Sequence, residues 1–232
     1  MAQATQLTPK GERTREHILD TALGLFIEQG YDATTMREIA AAAECSLGLT
    51  YRYFARKEDL VLALYWRTAD EQVAYVQSLA PASVADRFAL AMHAKIAQIA
   101  PYRDAFGALF GAALTSNSGV AVLGDQTSNI REQVGRAFYD LVRGATDAPR
   151  ERQARQLATV LYALHLALLL FWLHDRSPSQ QATGDLIKLT HDTLALIRPV
   201  LRVPPVSKGL ARLARAIEPV FGSTLVQPSG SP

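Results

Sequence analysis

Apolar residues recur every third or fourth position along nearly the whole chain, and no stretch alternates apolar with polar residues for long enough to make a strand. Clusters of proline, glycine and serine interrupt this pattern roughly every 15–25 residues, the spacing of helices joined by short loops. The pattern therefore predicts an all-α protein of about nine or ten helices. Their expected ranges are 14–29, 35–43, 46–54, 56–80, 83–99, 102–115, 126–144, 149–175 and 180–201. A short amphipathic stretch follows from Leu210 to Ile217. Ser46, Ser83 and Ser179 are expected N-caps. Thr35 and Glu38 have capping-box spacing, and Gly30 stands just past the last periodic residue of the first helix. Loops are expected at Pro101, Asn117-Ser118-Gly119, Gly144, Pro149 and Pro178. A disordered end is expected over the last ten or so residues, closing Gln227-Pro228-Ser229-Gly230-Ser231-Pro232.

Composition narrows the class. With 49% hydrophobic and 20% charged residues, the 232-residue chain can bury a core of its own. Cys45 is the one cysteine, so neither an intrachain disulfide nor a cysteine-rich zinc site can form. The polar start MAQATQLTPKGERTREH has no secretory apolar region, which points to the cytoplasm. Cys45 itself reads as a small buried hydrophobe rather than a redox switch. The run from Leu157 to Leu173 is barely long enough to cross a membrane, contains Tyr162 and His165, and has charges close by. A buried central helix is the expected reading. The five histidines have no metal-ligand spacing. No nucleophile elbow, phosphate loop or dinucleotide fingerprint is present, which argues against an enzyme. No metal and no cofactor is expected.

Two short helices joined by a tight turn, packed on a preceding amphipathic helix with Ile18, Ala22, Leu25 and Phe26 on one face, spell a helix-turn-helix. Ile39, Ala40, Ala43 and Cys45 supply small and apolar contacts where the helices meet. The third helix carries Ser46-Leu47-Gly48-Leu49-Thr50-Tyr51-Arg52-Tyr53-Phe54-Ala55-Arg56-Lys57. A glycine inside a short helix weakens it, and Gly48 makes sense where the backbone must come close to something, such as a groove floor. The donors of Tyr51, Arg52, Tyr53, Arg56 and Lys57 suit phosphates. Residues 14–64 resemble the DNA-binding domain of the TetR family of bacterial transcriptional regulators. The likeness is carried by Gly30-Tyr31, then Thr34-Thr35-Met36-Arg37-Glu38-Ile39-Ala40, then Tyr51-Arg52-Tyr53-Phe54 with Lys57-Glu58 and Leu60. It departs at Glu44, where the family usually has glycine in the turn, and at Thr50, where an apolar residue is commoner. Glu44 would then cost roughly 1 kcal/mol if it adopted the left-handed conformation.

The resemblance implies an N-terminal helix-turn-helix domain (residues 1–55), a helical effector-binding and dimerisation domain (56–202) and a C-terminal amphipathic segment with a tail (203–232). It implies that Thr35 meets a phosphate at the start of the second helix and that Arg37 reaches a base. Ser46, Leu47 and Gly48 would enter the major groove, and Tyr51, Tyr53 and Lys57 would grip phosphates. Arg52 is the expected contact particular to this chain, since arginine can read guanine. Residues 1–66 carry nine carboxylates against seven cations, so binding must rest on placement. Lys10, Arg13 and Arg15 are a candidate basic arm; an ordinary solvated surface is the plainer reading of any one of these cations.

The expected partners are double-stranded DNA bearing a palindromic operator, a second copy of the chain and a small, largely apolar effector. Leu161, Leu164, Leu168 and Trp172 on one long helix, and Ile187, Leu194, Ile197 and Leu201 on the next, form two apolar stripes. Each stripe would build either the dimer seam or the protomer's interior, and the resemblance favours the seam. Met92, His93, Tyr102, Phe106, Phe110, Tyr162 and His165 would line an effector pocket; as single residues they read equally well as core. The expected mechanism is repression, relieved when effector binding through the fourth helix, by way of Trp66 and Arg67, changes the spacing of the recognition helices. The other reading is a lipid-binding relative that sits on a membrane through the basic C-terminal segment with Arg198, Arg202, Lys208, Arg212 and Arg215 and has no use for DNA.

Overall fold

The structure, a computed structural model, describes residues 8–114 and 128–221. The expected loop at Asn117-Ser118-Gly119, the tail closing at Pro232 and the side chain of Arg202 lie outside the described residues. Among the described residues there are ten α-helices and no strand. They are α1 (Pro9–Gln29), α2 (Met36–Ala42), α3 (Leu47–Tyr53), α4 (Lys57–Ser78), α5 (Val84–Ile99), α6 (Arg103–Leu114), α7 (Ser128–Arg143), α8 (Glu151–His174), α9 (Gln181–Ile197) and α10 (Pro204–Phe221). Short 3-10 turns at Ala100–Tyr102, Pro178–Gln180 and Arg198–Arg202 join some of them.

Local chemistry sets most boundaries. α1 starts earlier than the periodicity implied, because Thr8 caps it, its hydroxyl accepting from Gly11 N at 3.2 Å, and Pro9 occupies the first turn, where no amide is required. Lys10, Arg13 and Arg15 therefore stand on a helix and do not form an extended arm. α1 ends at Gly30, whose φ of 88° a side chain would resist. The capping box of α2 and the caps Ser46 and Ser83 form as expected. Ser179 does not cap α9: it takes a left-handed φ of 51°. Asp175 and Ser177 hold that start instead. The Asp175 carboxylate accepts from the amides and hydroxyls of both Ser177 and Thr183 at 2.6–2.8 Å, and Ser177 Oγ accepts from Ala182 N.

Those four hydrogen bonds favour the ionised form of Asp175 and hold its carboxyl well below the usual carboxylate range. A depressed folded-state value means the stabilisation is complete above the unfolded value, about 4, and is lost as the pH falls further. In an acid titration followed by circular dichroism, Asp175→Asn is expected to start less stable at neutral pH and to show a flatter acid limb than the wild type. Equal slopes for the two would contradict this role.

α4 packs on α1 at one end and on α5, α6 and α7 along its length, so one helix joins the small N-terminal helices to the larger bundle. Arg67 on α4 donates to Asp20 at 2.7 Å and to Glu16 at 2.6 Å on α1. A second tie runs through α6: Arg103 donates to the main-chain carbonyls of Trp172, Leu173 and Asp175 at the end of α8, and its guanidinium lies over the Trp172 ring. The turn at Ala100–Tyr102, just before it, touches α1. α8 is apolar and long enough to cross a membrane, yet half of its most apolar window is buried against other helices, as the central-helix reading expects. α10 is longer than the amphipathic stretch at Leu210–Ile217 suggested. It lies back on α8, with Ala214 buried and Val206 and Leu210 packed on the core.

Candidate functional site

The surface at α2 and α3 is built by caps and small residues. Thr35 Oγ1 accepts from Glu38 N, and Glu38 Oε2 accepts from the Thr35 amide and hydroxyl, both at 2.8 Å. Those bonds to Thr35 keep the Glu38 carboxyl below its ordinary range. The Thr35 hydroxyl is thus committed within the box. Ile39, Ala40 and Ala43 are buried beneath α2, and Cys45 is half-buried. The turn closes with Glu44 N to Ala41 O and Cys45 N to Ala40 O. Glu44 takes φ 51°, left-handed, at a cost of roughly 1 kcal/mol.

α3 starts at Ser46, whose hydroxyl accepts from Leu49 N. Thr50, the other departure from the family pattern, is fully buried, and its hydroxyl donates to Ser46 O at 3.3 Å. The polar group is satisfied inside its own helix, so threonine serves where an apolar residue is commoner. Phe54 is buried at the helix end under the Arg15 guanidinium, 4.9 Å from its ring. Burying such a ring contributes roughly 1.5–3 kcal/mol. Arg15 is therefore spent on the protein and unavailable as an arm. With Thr50 and Phe54 turned inward, Ser46, Gly48, Tyr51 and Arg52 form the outer face; Leu47 and Tyr53 are half-buried at its flanks. Tyr51 is 47% exposed despite being a large aromatic. A Cβ added at Gly48 would meet nothing within 4 Å, so no packing inside the protein requires glycine there. Arg37 is exposed on α2. Arg56 caps α4 with Asp59, its amide donating to Asp59 Oδ2 at 3.0 Å.

Lys57 differs from expectation. Its ammonium donates to the carbonyls of Tyr31 (2.6 Å), Thr34 (2.9 Å) and Asp32 (3.4 Å), and it stands 4.1 Å from the Tyr31 ring centroid. All three donors point at the loop between α1 and α2, so the side chain braces that loop in this structure. Burial, helped by Glu58 and Asp32, pushes the Tyr31 hydroxyl up to about 12.

The expected effector residues are only partly brought together. Met92, Phe106, Phe110, Tyr162 and His165 are buried, and Tyr102 is half-buried. His93 is exposed on the far side of α5 and cannot line an interior pocket with them. His165 Nδ1 lies 3.3 Å from Met92 Sδ. Its ring is 5.1 Å from Phe138 and stacks on Tyr162 at 6.3 Å. Burial, with a contribution from Lys95, pushes the His165 imidazole down to about 3, so it is neutral. Lys95 is the polar residue the sequence reading missed. It follows Phe88 and Met92 on the core face of α5, and that spacing was the available signal.

The expected seam residues need correction. Leu161, Leu168 and Trp172 on α8, and Ile187 and Leu201 beyond it, are buried inside the protomer, where a partner cannot reach them. Leu164 and Leu194 are half-buried and Ile197 is 38% exposed. On and just after α8 and α9, large apolar groups left in solvent besides Ile197 are Phe171, Leu189, Leu196 and Val200. On α9 both stripes have the same helical period, and periodicity alone does not say which one faces inward.

The sequence profile of the bacterial regulatory proteins of the tetR family matches residues 18–64. The chain is 28% identical over 185 residues to the HTH-type transcriptional repressor Rv3405c of Mycobacterium tuberculosis, covering 80% of this chain and 85% of that one. The HTH-type transcriptional regulator AcrR of Shigella flexneri is 38% identical over 73 residues, 32% of this chain and 33% of its own. A crystal structure of a tetR-family transcriptional regulator from Streptomyces coelicolor superposes with a TM-score of 0.60 at 21% identity, over 89% of this chain and 88% of the other. That likeness concerns the fold.

Proposed function

We propose that this chain, whose residues 18–64 match the tetR-family profile, is a cytoplasmic repressor of that family of DNA-binding regulators. It binds a palindromic operator as a homodimer and leaves it when a small effector lodges among α4 to α8. The observation that carries this reading is the outer face of α3. There Gly48, Tyr51 and Arg52 stand free of internal duties while the hydroxyls of Ser46 and Thr50 are bonded within the helix. α3 is shaped for a major groove, with Tyr51 and Tyr53 on phosphates and Arg37 and Arg52 at base edges. Two copies place these helices about 34–36 Å apart.

The homodimer meets along the exposed stripes of α8 and α9 rather than the buried ones. Repression follows the name carried by the relative Rv3405c. A lipid carrier is not favoured, because Val206, Leu210 and Ala214 of α10 pack on the protein itself.

Selection of bound fragments from the source genome, followed by salt titration of the best one, tests the reading. The expected result is a palindromic site, with affinity falling steeply as salt rises. Tyr51→Ala is expected to weaken binding about tenfold or more and to leave the salt slope unchanged, because a neutral hydroxyl displaces no counterion. No enriched site for a folded dimer would remove the operator reading.

A further inference from the structure

Lys95 is 3% exposed, in the middle of the bundle. Its ammonium donates to Thr68 O on α4 at 2.8 Å and to Gln98 Oε1 on α5 at 3.3 Å. Lysine has three donors, so one is left over. Both partners are neutral, and among the described residues no carboxylate lies within ion-pair distance of it. Glu71 on α4 accepts from the Gln98 amide and acts on the ammonium only from beyond ion-pair distance. A buried charge without a counter-charge is expensive. Its charge reaches His165 on α8, and from that ring a run of aromatic groups and one soft, movable side chain extends through the bundle. Tyr65 on α4 meets Phe106 on α6 edge-on at 6.5 Å. Tyr162 and His165 on α8 stack on each other against Phe138 on α7. Met92, one turn before Lys95, fills the space against His165.

We propose that Lys95 is the anchor of the effector site and that the effector is a monocarboxylate with a compact apolar, ring-sized body. The carboxylate takes the unused donor of Lys95 and supplies the missing charge. Met92 gives way, as an unbranched thioether can, and the body lies among Tyr65, Phe106, Phe138 and Tyr162. A single ammonium balances a single negative charge, which disfavours a phosphate dianion. The proposal rests on the effector reading above and names the chemistry of that same site.

The surroundings fix its pH dependence. From α4, Tyr65 and Glu71 face the ammonium's neighbourhood; from α8, Tyr162 and His165; from α7, Arg131 acts on both tyrosines. Tyr65, by burial, ionises only at about 12, and His165 is neutral above about 3. On α9, His191 meets Asp86 at the far end of α5 through Nε2 and Asp192 through Nδ1. Burial, only partly offset by Glu71, brings Lys95 down to about 7. Lys95 is therefore the group here that titrates near neutrality. A bound carboxylate favours its charged form, so binding takes up a proton above that pH. Affinity should then fall about tenfold per pH unit above 7 and stay level between about 5 and 7.

Calorimetric titration of the full-length dimer with benzoate, phenylacetate and octanoate, each paired with its primary amide, tests this. At least one acid is expected to bind ten times tighter than its amide or better, with proton uptake at about pH 8 in buffers of different ionisation enthalpy. Lys95→Met, checked for retained operator binding, is expected to erase both the acid preference and the pH dependence. Lys95→Gln serves if that variant fails to fold. An acid and amide that bind alike, failure of all three acids at millimolar concentration, or a variant that keeps the preference would overturn the proposal. Operator release is read separately: release by a neutral ligand keeps the effector reading and removes the carboxylate. Operator binding that no small molecule relieves removes the effector reading itself.

Discussion

Replacing Leu189 and Leu196 together with arginine is expected to leave a folded monomer whose operator affinity is about a thousandfold weaker. Both leucines project from α9 into solvent, at 61% and 78% exposure, so neither contributes to the protomer's own core. Their exposure is itself the argument, since large apolar groups in a row on a helix face mark a contact surface. In an isologous dimer each substitution is met twice, and four new charges would face one another across a dry seam. A monomer presents one recognition helix. Half of the specific contacts vanish, and affinity drops towards the non-specific level, which commonly lies 10³-fold or more below specific binding. Sedimentation velocity and a gel-shift titration of one preparation check both halves. A variant that stays dimeric with wild-type affinity would place the seam elsewhere.

The second large effect concerns Arg87. Its side chain is 4% exposed. The guanidinium donates to Leu141 O on α7 and to Leu79 O, Ala80 O and Val76 O at the end of α4, at 2.9–3.4 Å. Burial pushes its own proton affinity down, though far from losing the charge. One planar fork thus satisfies the carbonyl end of α4 and fastens it to α5 and α7. Arg87→Ala would leave buried carbonyls without donors and a void among three helices. The expected loss is about 3–5 kcal/mol in chemical denaturation. Arg87→Lys should recover little, because a single ammonium cannot point along four directions. The fit is close: a Cβ at Gly144 would stand 2.8 Å from Arg87 Nη2. A loss below about 1 kcal/mol for Arg87→Ala would mean that water reaches those carbonyls.

The legible parts of the molecule were those governed by neighbours in sequence. Thr35 with Glu38, Ser46 and Ser83 form caps from residues three apart, so spacing alone identifies them. Glu44 in the left-handed turn followed instead from the resemblance, which has glycine at that position. What escaped depended on residues far apart. The two leucine stripes of α9 share one period, and only the packing of α5 decides that Ile187 turns in while Leu189 turns out. Lys57 has the look of a phosphate-binding lysine until the fold brings the carbonyls of Tyr31, Asp32 and Thr34 to it from 23–26 residues away. Ser179 lost the cap of α9 to Asp175, whose reach across the turn no helical pattern encodes.

The grip of Arg103 on the end of α8 bears on how two copies would count effector molecules. The first residue of α6 is fastened to the last carbonyls of a helix that also carries Phe171, and the turn before it leans on α1. A shift of α6 cannot be absorbed locally; it drags the end of α8 with it. In a dimer joined along that helix, one protomer's α8 is the other's floor. The first ligand to arrive would meet the stiffness of both protomers, and the second would find the rearrangement already made. Occupancy would then rise more steeply than a simple hyperbola, and the gene under control would switch over a narrow range of concentration.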